Sequence, residues 1–239
     1  MTALLSLDGV GKSYWRGTVR VEVLKDASLE LAPGDFVAVW GRLGSGKSTL
    51  LRLAAGLEAP DEGEVRFAGR PVAGLSRRER QQLRRHEIGF ADRSGPYERE
   101  LPALDHVAFP LMGTMPRAMA SRRALDALRQ LGLQPACGRL RWSELTDGER
   151  TLVSIAHAIV REPKLLLVDD PTSSLGVQER ERTVALLHRL AGERRMAVLM
   201  TAPDASATLG AHEVLTLSGG RLLPAGPAPG GDLIRLTGA

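Results

Sequence analysis

The stretch GRLGSGKS, from Gly41 to Ser48, decides the fold of this chain. It matches the pattern G-x-x-x-x-G-K-[S/T] in full. Before it stands FVAVW at residues 36–40, an apolar run of strand length, and after it an apolar stretch predicts a helix as far as Leu57. Glycines let the backbone of such a loop curl so that its N–H groups point at phosphate, and the helix N-terminus adds its dipole. The loop therefore predicts a binding site for the phosphates of a nucleotide.

Two side chains of this loop have expected roles in the phosphate site. Lys47 is expected to reach the β- and γ-phosphates, and the Ser48 hydroxyl is expected to ligate Mg²⁺. A chance match is the alternative, and the strand before the loop and the helix after it argue against chance. The residues expected to contact the nucleotide are Gly41, Arg42, Leu43, Gly44, Ser45, Gly46, Lys47, Ser48 and Thr49.

A second stretch, LLLVDDPTSSLG at residues 165–176, runs from four apolar residues directly into two aspartates. Asp169 ends a run with the character of a buried strand, where a carboxylate is costly unless something satisfies it. The Mg²⁺ of a phosphate-loop site satisfies such a carboxylate. A carboxylate that caps the next turn is the alternative. We therefore expect Asp169 to ligate Mg²⁺ together with Ser48.

Composition and charge narrow the class of protein. With 239 residues, of which 43% are hydrophobic and 25% charged, the chain is long enough for one core with an inserted subdomain. The net charge is +4, but only four of the 32 basic residues are lysines. The densest basic run, SRRERQQLRR at residues 76–85, mixes acidic and amide groups as a solvated helix does. We therefore expect no nucleic-acid partner.

Cysteine usage and the N-terminus bear on location. Cys137 is the one cysteine, which excludes an intrachain disulfide and fits a reducing compartment. The start MTALLSLDGVGKSY lacks a charged region followed by a long apolar stretch, so no signal peptide is expected. No apolar run approaches about 18 residues, so no membrane span is expected. These features favour a cytoplasmic protein whose membrane role, if any, comes through a partner.

The order of predicted elements indicates an α/β fold. Residues 3–31 alternate as strands do, and helices and strands alternate again from residue 151. This arrangement predicts a largely parallel sheet that is covered on both faces. Residues 94–150 change character and predict an inserted helical subdomain, so that about 1–93 and 151–239 form the core with an N-terminal antiparallel β subdomain. The whole chain, residues 1–239, is thus expected to form a single nucleotide-binding domain.

With the phosphate loop, LTDGER at residues 145–150 and LLLVDDPTSSL, the chain resembles the ATP-binding subunit of an ABC transporter. The resemblance covers nearly the whole length and keeps the family's motif order. It implies a P-loop NTPase with a RecA-like sheet that binds ATP and Mg²⁺. In this family two such subunits enclose two ATP molecules, each held between one chain's phosphate loop and the other chain's signature sequence. Closure drives a separate membrane-spanning subunit, which implies a place on the inner face of the cell membrane.

Two further segments belong to this resemblance. Tyr14 matches the aromatic residue that stacks on adenine, and a core or hairpin aromatic is the alternative. DHVAFPL at residues 105–111 resembles a segment of lipoprotein-releasing, macrolide-export and cell-division members. This segment bears on the helix through which the membrane subunit couples to the ATP-binding subunit.

Departures from the family begin in the signature, which is Leu-Ser-Gly-Gly-Gln or a close variant in the family. Here it is LTDGE, with the residues Leu145, Thr146, Asp147, Gly148 and Glu149. Thr146 keeps a hydroxyl, but Asp147 replaces a glycine at a helix N-terminus that faces the partner's γ-phosphate. A carboxylate at this position repels phosphate, and it is also placed to cap the helix itself.

Four other positions depart from the family pattern. Arg93 stands where glutamine is usual, and arginine has no acceptor lone pair for Mg²⁺, although it is able to contact phosphate directly. Ala202 stands where the family has the switch histidine, and Gly176 where it has an aspartate that helps the subunits communicate. Asp170 replaces the glutamate that polarises the attacking water, one methylene shorter. A misplacement of ~1 Å is able to cost on the order of a hundredfold in rate.

Five changes beside an intact phosphate loop favour retained nucleotide binding with weak or lost hydrolysis, and they favour pairing with a more typical ATP-binding subunit. The alternatives are ordinary drift in an active enzyme, and a conventional homodimeric transport ATPase that uses Asp170 as its base. A soluble ABC protein of DNA or ribosome biology is disfavoured, because those usually carry two ATP domains or a long arm. A generic GTPase is disfavoured because no Asn-Lys-x-Asp sequence occurs.

Overall fold

The computed structural model describes residues 3–92 and 100–225, which form two β-sheets and six α-helices. Alternating or continuous apolar residues in short runs give the strands, and turns rich in glycine separate them. In chain order the strands are β1 (Leu5–Arg16), β2 (Val19–Leu31), β3 (Phe36–Trp40), β4 (Glu62–Phe67), β5 (Arg70–Pro71), β6 (Ile88–Ala91), β7 (Leu165–Val168), β8 (Ala197–Ala202), β9 (Glu213–Ser218) and β10 (Arg221–Pro224).

The helices lie mostly between these strands. In chain order they are α1 (Lys47–Ala54), α2 (Arg77–His86), α3 (Ala103–Ala108), α4 (Arg117–Gln130), α5 (Asp147–Ile159) and α6 (Val177–Arg194). The expected extent of α1 to Leu57 is wrong, because the helix ends at Ala54. Gly56 follows with a φ of +61°, a left-handed conformation that ends a helix.

Sheet topology matches the expected α/β class. The larger sheet has the order β10-β9-β3-β8-β7-β6, and of its pairings only β9–β10 is antiparallel. The smaller sheet, β2-β1-β4-β5, is antiparallel throughout, as expected for the N-terminal part. The predicted fold class is therefore confirmed, whereas the division of the chain at residues 94 and 150 stays a prediction.

The larger sheet is buried on both faces, as parallel sheets are. On β3, Val37 and Val39 face one apolar cluster with α1 and the smaller sheet. Phe36, Ala38 and Trp40 face the other, which α3, α4, α5 and α6 also line. Parallel strands present their carboxyl ends at one edge of the sheet. Because β3, β8 and β7 are neighbours, their carboxyl ends lie together beside the phosphate loop.

No helix in residues 3–92 and 100–225 has the length and apolar character needed to cross a membrane.

Candidate functional site

The phosphate loop connects β3 directly to α1. Gly46 precedes the helix with a φ of +106°, and a Cβ on it would lie 2.8 Å from the Val23 side chain. Only glycine adopts this conformation readily in so little space. The side chain of Leu43 is 98% exposed, and Arg42 and Gly44 are exposed as well. The loop therefore presents an open surface over the N-terminus of a helix, as a phosphate site requires.

Lys47 is folded back onto this loop. Its Nζ donates to the carbonyl oxygens of Gly41 at 2.6 Å and Arg42 at 3.1 Å. Burial lowers the pKa of Lys47 below its ordinary value, and the carboxylates of Asp170 and Asp169 oppose that shift. The ammonium thus lies within electrostatic range of both aspartates, and phosphate oxygens are able to replace the loop carbonyls as its acceptors.

The two aspartates follow β7, whose four residues are all buried. The Asp169 N–H donates to Ala91 at 3.0 Å, which extends the pairing with β6, and the Thr201 hydroxyl donates to Asp169 Oδ1 at 2.8 Å. The Asp170 N–H donates to the same hydroxyl at 3.0 Å. Asp170 has a φ of +49°, a left-handed conformation that aspartate tolerates better than most residues. Both carboxylates therefore stand at the carboxyl edge of the sheet.

The expected switch position, Ala202, ends β8 and is fully buried. Its register partner on β3 is Trp40, and the Gly41 N–H donates to the Ala202 carbonyl at 3.3 Å. The Ala202 and Trp40 side chains belong to the same apolar cluster. A methyl group at this position has no atom that bonds to phosphate or water.

The signature forms the N-terminus of α5. Thr146 is the N-cap: its hydroxyl accepts from the Glu149 N–H at 3.2 Å, and the Glu149 carboxylate accepts from the Thr146 N–H at 2.9 Å. The Cys137 thiol also donates to Glu149 at 3.0 Å. These donors, the thiol first, hold the pKa of Glu149 below its usual range. Leu145 is buried before the cap, and Thr146 and Glu149 form a capping box that begins α5.

The expectation that Asp147 caps this helix is wrong, because Thr146 occupies the cap and Asp147 is the first residue inside the helix. The Asp147 carboxylate instead accepts from Arg150 at 3.1 Å, and Arg150 also donates to the backbone carbonyls of Trp142 and Ser143. The arginine is thereby fixed from three sides. The negative charge remains beside the helix N-terminus with a cation as its neighbour.

A cleft of about 380 Å³ runs between this helix and the end of β7. Asp147 and Arg150 line one side, and Asp169 and Asp170 line the other. Opposite the signature, Glu179 of α6 lies so near Gly148 that a Cβ there would be 2.8 Å from its Oε1. The structure therefore brings carboxylates from three segments of one chain around the start of α5.

Tyr14 lies beside α1, the helix that follows the phosphate loop. Its hydroxyl donates to Glu58, which also pairs with Arg52 of α1 at 3.2 Å. Burial, followed by the bond to Glu58, raises the pKa of Tyr14. The Lys12 ammonium is 5.7 Å from the centre of the tyrosine ring. Tyr14 is thus a fixed aromatic beside α1, and stacking on adenine stays a prediction for it.

Gly176 and Arg93 are two of the positions at which the sequence departs from the family. Gly176 is the N-cap of α6, and its N–H points at Glu179 Oε2 at 3.4 Å. A glycine there supplies no side chain for contact with another subunit. Arg93 lies outside the described residues.

Comparison with known proteins identifies the family. The family model described as "ABC transporter" matches residues 24–173, more than half of the chain. The chain belongs to the ABC transporter family. It is 38% identical to the lipoprotein-releasing system ATP-binding protein LolD of Pseudomonas syringae pv. tomato over 224 residues, which are 93% of this chain and 98% of that protein.

Solved structures of ABC proteins have the same fold. The dimeric structure of MJ0796, a bacterial ABC transporter cassette, has a TM-score of 0.85 at 30% identity and covers 91% of this chain and 96% of that one. Its post-hydrolysis dimer with ADP and phosphate has a TM-score of 0.84. CbiO1 from Clostridium perfringens, at 24% identity and a TM-score of 0.77, supports the fold alone. The chain is accordingly an ATP-binding subunit of the ABC transporter type.

Sequence reasoning missed three residues of this ABC site. Thr201 on β8 bonds to both aspartates, and Trp40 on β3 pairs with Ala202. Glu179 approaches Gly148 of the signature from α6. Only Thr201 gave a signal in the sequence, because it is a polar residue in the apolar run AVLMTA, where a hydroxyl needs a partner. The other two contacts depend on which strands and helices are neighbours, and periodicity does not specify that.

Proposed function

We propose that this ABC subunit binds ATP with Mg²⁺, hydrolyses it slowly or not at all, and pairs with a second ATP-binding subunit of more typical sequence. The observation that carries the proposal is the start of α5. There Asp147 stands in place of a glycine and Glu179 lies against Gly148. Like charges at close range oppose the approach of a phosphate, although a bare helix N-terminus attracts one.

Nucleotide binding is supported by the phosphate loop. Its glycine conformations, its exposed surface and the helix behind it suit phosphate, and Lys47 supplies a cation. Ser48 and Asp169 carry the hydroxyl and carboxylate oxygens that Mg²⁺ prefers. We assign these two residues to the ion, which would neutralise phosphate charge when bound. Tyr14 is assigned to the adenine ring.

Weak turnover is supported by the groups around Asp170. The aspartate is one methylene shorter than glutamate, and its backbone N–H is held by Thr201, so its carboxylate reaches less far from the end of β7. Ala202 offers a buried methyl group where a histidine is expected to contact phosphate and orient water. Loss of positioning groups in this way costs catalysis more than it costs binding, because binding uses the intact loop.

Pairing with a different subunit follows from the two-site arrangement. In a heterodimer, the phosphate loop of this chain meets an intact signature, while its own LTDGE faces the partner's catalytic residues. A homodimer places Asp147 and Ala202 in both sites. If the complex hydrolyses ATP efficiently, we therefore expect it to contain a heterodimer of ATP-binding subunits.

The remaining parts of the function rest on relatives. The resemblance to a lipoprotein-releasing system ATP-binding protein supports work with a separate membrane-spanning subunit. We accordingly place the chain on the cytoplasmic face of a membrane, held there by that partner, without a nucleic-acid partner. We also assign residues 94–150 to a helical subdomain that is inserted into the core.

The test uses the purified chain and its Lys47→Ala variant. We expect the parent to bind MgATP, measured by calorimetry, and the variant to bind it at least about tenfold more weakly, because loss of a charge-assisted contact costs about 1.5–3 kcal/mol. Phosphate release from the parent should barely exceed that from the variant. Family-typical turnover by the parent, abolished in Lys47→Ala, contradicts the proposal.

A conventional homodimeric ATPase is the second candidate, because Asp170 keeps a carboxylate at the end of β7, in the cleft beside α5. Asp170→Asn separates the two. A large fall in rate supports the conventional enzyme, and an unchanged slow rate supports the degenerate subunit. Affinity purification of the intact complex without any membrane protein would instead favour a soluble ABC protein.

A further inference from the structure

Thr201 is a fully buried hydroxyl at the carboxyl edge of the larger sheet. It is the next-to-last residue of β8, whose six residues are all buried. A hydroxyl in such surroundings costs free energy unless it is hydrogen-bonded, and an alanine or valine would fit an apolar strand without that cost. The presence of threonine here therefore calls for an explanation in its hydrogen bonds.

Both bonds of this hydroxyl go to the two aspartates that follow β7. Thr201 Oγ1 donates to Asp169 Oδ1 at 2.8 Å and accepts from the Asp170 N–H at 3.0 Å. A hydroxyl has one proton. Because the amide can only donate, that proton goes to the carboxylate, and the orientation of the group is determined.

The position of these bonds follows from strand register. The last ladder pair between β7 and β8 is Val168 with Met200, so Asp169 and Thr201 are the next residues along two parallel strands. The Asp169 N–H is meanwhile occupied by Ala91 on the other side. The Asp169 carboxylate is therefore held by a residue of β8. At this point the chain leaves the sheet through the left-handed conformation of Asp170.

We propose that Thr201 is a positioning residue for the Mg²⁺ site: its hydroxyl holds Asp169 by one oxygen and leaves the other for the ion, and it anchors the turn that carries Asp170. The proposal rests on the proposed role of Asp169 as an Mg²⁺ ligand. The donor set fits that ion, because Ser48 and Asp169 supply hard oxygens.

A purely structural role makes a different prediction. If the hydroxyl only satisfies buried groups, its loss lowers stability and leaves Mg²⁺ affinity unchanged. If the hydroxyl positions a metal ligand, its loss selectively weakens the binding of Mg²⁺, since partners that orient metal ligands are typically worth about tenfold to a hundredfold in metal affinity. Nucleotide binding without the ion uses the loop and is a separate measurement.

The experiment compares Thr201→Val, which keeps the shape, with Thr201→Ser, which keeps the hydroxyl. ATP binding to the full chain is measured by calorimetry in EDTA and across a titration of Mg²⁺. We expect Thr201→Val to need at least about tenfold more Mg²⁺ for the same effect, with binding in EDTA unchanged and Thr201→Ser like the parent. Exchange of the Asp170 amide hydrogen should be faster in Thr201→Val.

Thr183→Val is the matched control, because it also removes a buried hydroxyl, one that donates to the backbone carbonyl of Glu179 within α6. It should leave the Mg²⁺ titration unchanged. If Thr201→Val does not fold, Thr201→Ala is measured in its place. A parent-like Mg²⁺ titration for the hydroxyl-free variant overturns the inference, and so does an equal loss of binding with and without Mg²⁺.

Asp169→Asn separates failure of this inference from failure of the proposed function. If Asp169→Asn abolishes the effect of Mg²⁺ while Thr201→Val does not change it, only the role of Thr201 is wrong. If Asp169→Asn also leaves the titration unchanged, the assignment of Asp169 to the ion is wrong, and the inference falls with it.

Discussion

Trp40 and Ala202 lie side by side as the last residues of β3 and β8, paired in register and facing the same apolar cluster. The small residue is fully buried although it ends a strand, and the large one is partly buried. The Trp40 indole N–H is buried without an acceptor among the residues that the structure describes. The indole is therefore held by packing, and a larger side chain at position 202 has to compete with it for space.

We predict that Ala202→His alone does not restore hydrolysis, because the imidazole overpacks against Trp40. Overpacking of this kind costs typically about 1–3 kcal/mol in the free energy of unfolding. In Ala202→His/Trp40→Leu, the combined cost should be smaller than the sum of the single costs by about 0.5 kcal/mol or more. Urea unfolding of the four proteins measures this difference, and additive costs would mean that the two side chains do not compete.

A second prediction concerns the charge of Asp147. Removing it should strengthen ATP-dependent self-association of the chain, because the carboxylate no longer opposes the γ-phosphate held by the other copy. We expect Asp147→Asn, which keeps the shape, and Asp147→Gly to associate at least about tenfold more tightly than the parent in MgATP, and more so at low salt. Sedimentation velocity measures the effect. Glu193→Gln, which removes one negative charge from an exposed site on α6, is the charge control. Equal association of parent and variants would mean that Asp147 does not face phosphate.

A third prediction concerns His106, which lies against Trp142 and His157. Burial, with a smaller effect of His157, lowers the pKa of His106 from 6.5 to about 4. The unfolded chain therefore binds a proton that the folded chain refuses between these values, so the free energy of unfolding falls as the pH drops from 6.5 towards 4. In the His106→Gln variant, the free energy of unfolding should change less between pH 7 and pH 5 than it does in the parent.

Urea titrations at several pH values measure this change, and they include the exposed His86→Gln as a control. The carboxylates contribute equally to the pH dependence of stability in all three proteins. The difference in pH dependence between the parent and His106→Gln therefore reports the contribution of this histidine. An unchanged pH dependence in His106→Gln, or an equal change in His86→Gln, would contradict the assignment.

Local patterns were sufficient where one segment carries the chemistry by itself. The phosphate loop needed only its glycines, Lys47 and the flanking strand and helix, and the parallel sheet followed from the alternation of elements. The sequence allows Asp147 to cap α5, but Thr146 is the cap, and Thr146 and Glu149 have capping-box spacing in the sequence. The end of α1 was misplaced because Leu57 continues the apolar pattern after the left-handed Gly56 has ended the helix.

The sequence by itself determined the α/β class, the phosphate loop and the absence of a histidine at position 202, because each depends on residues that are contiguous or on one identity. Only the tertiary structure decided that Thr201 holds Asp169, that Trp40 pairs with Ala202 and that Glu179 approaches Gly148. These contacts join residues that are distant in the chain. Strand order, register and helix packing bring them together, and those follow from burial of the whole core.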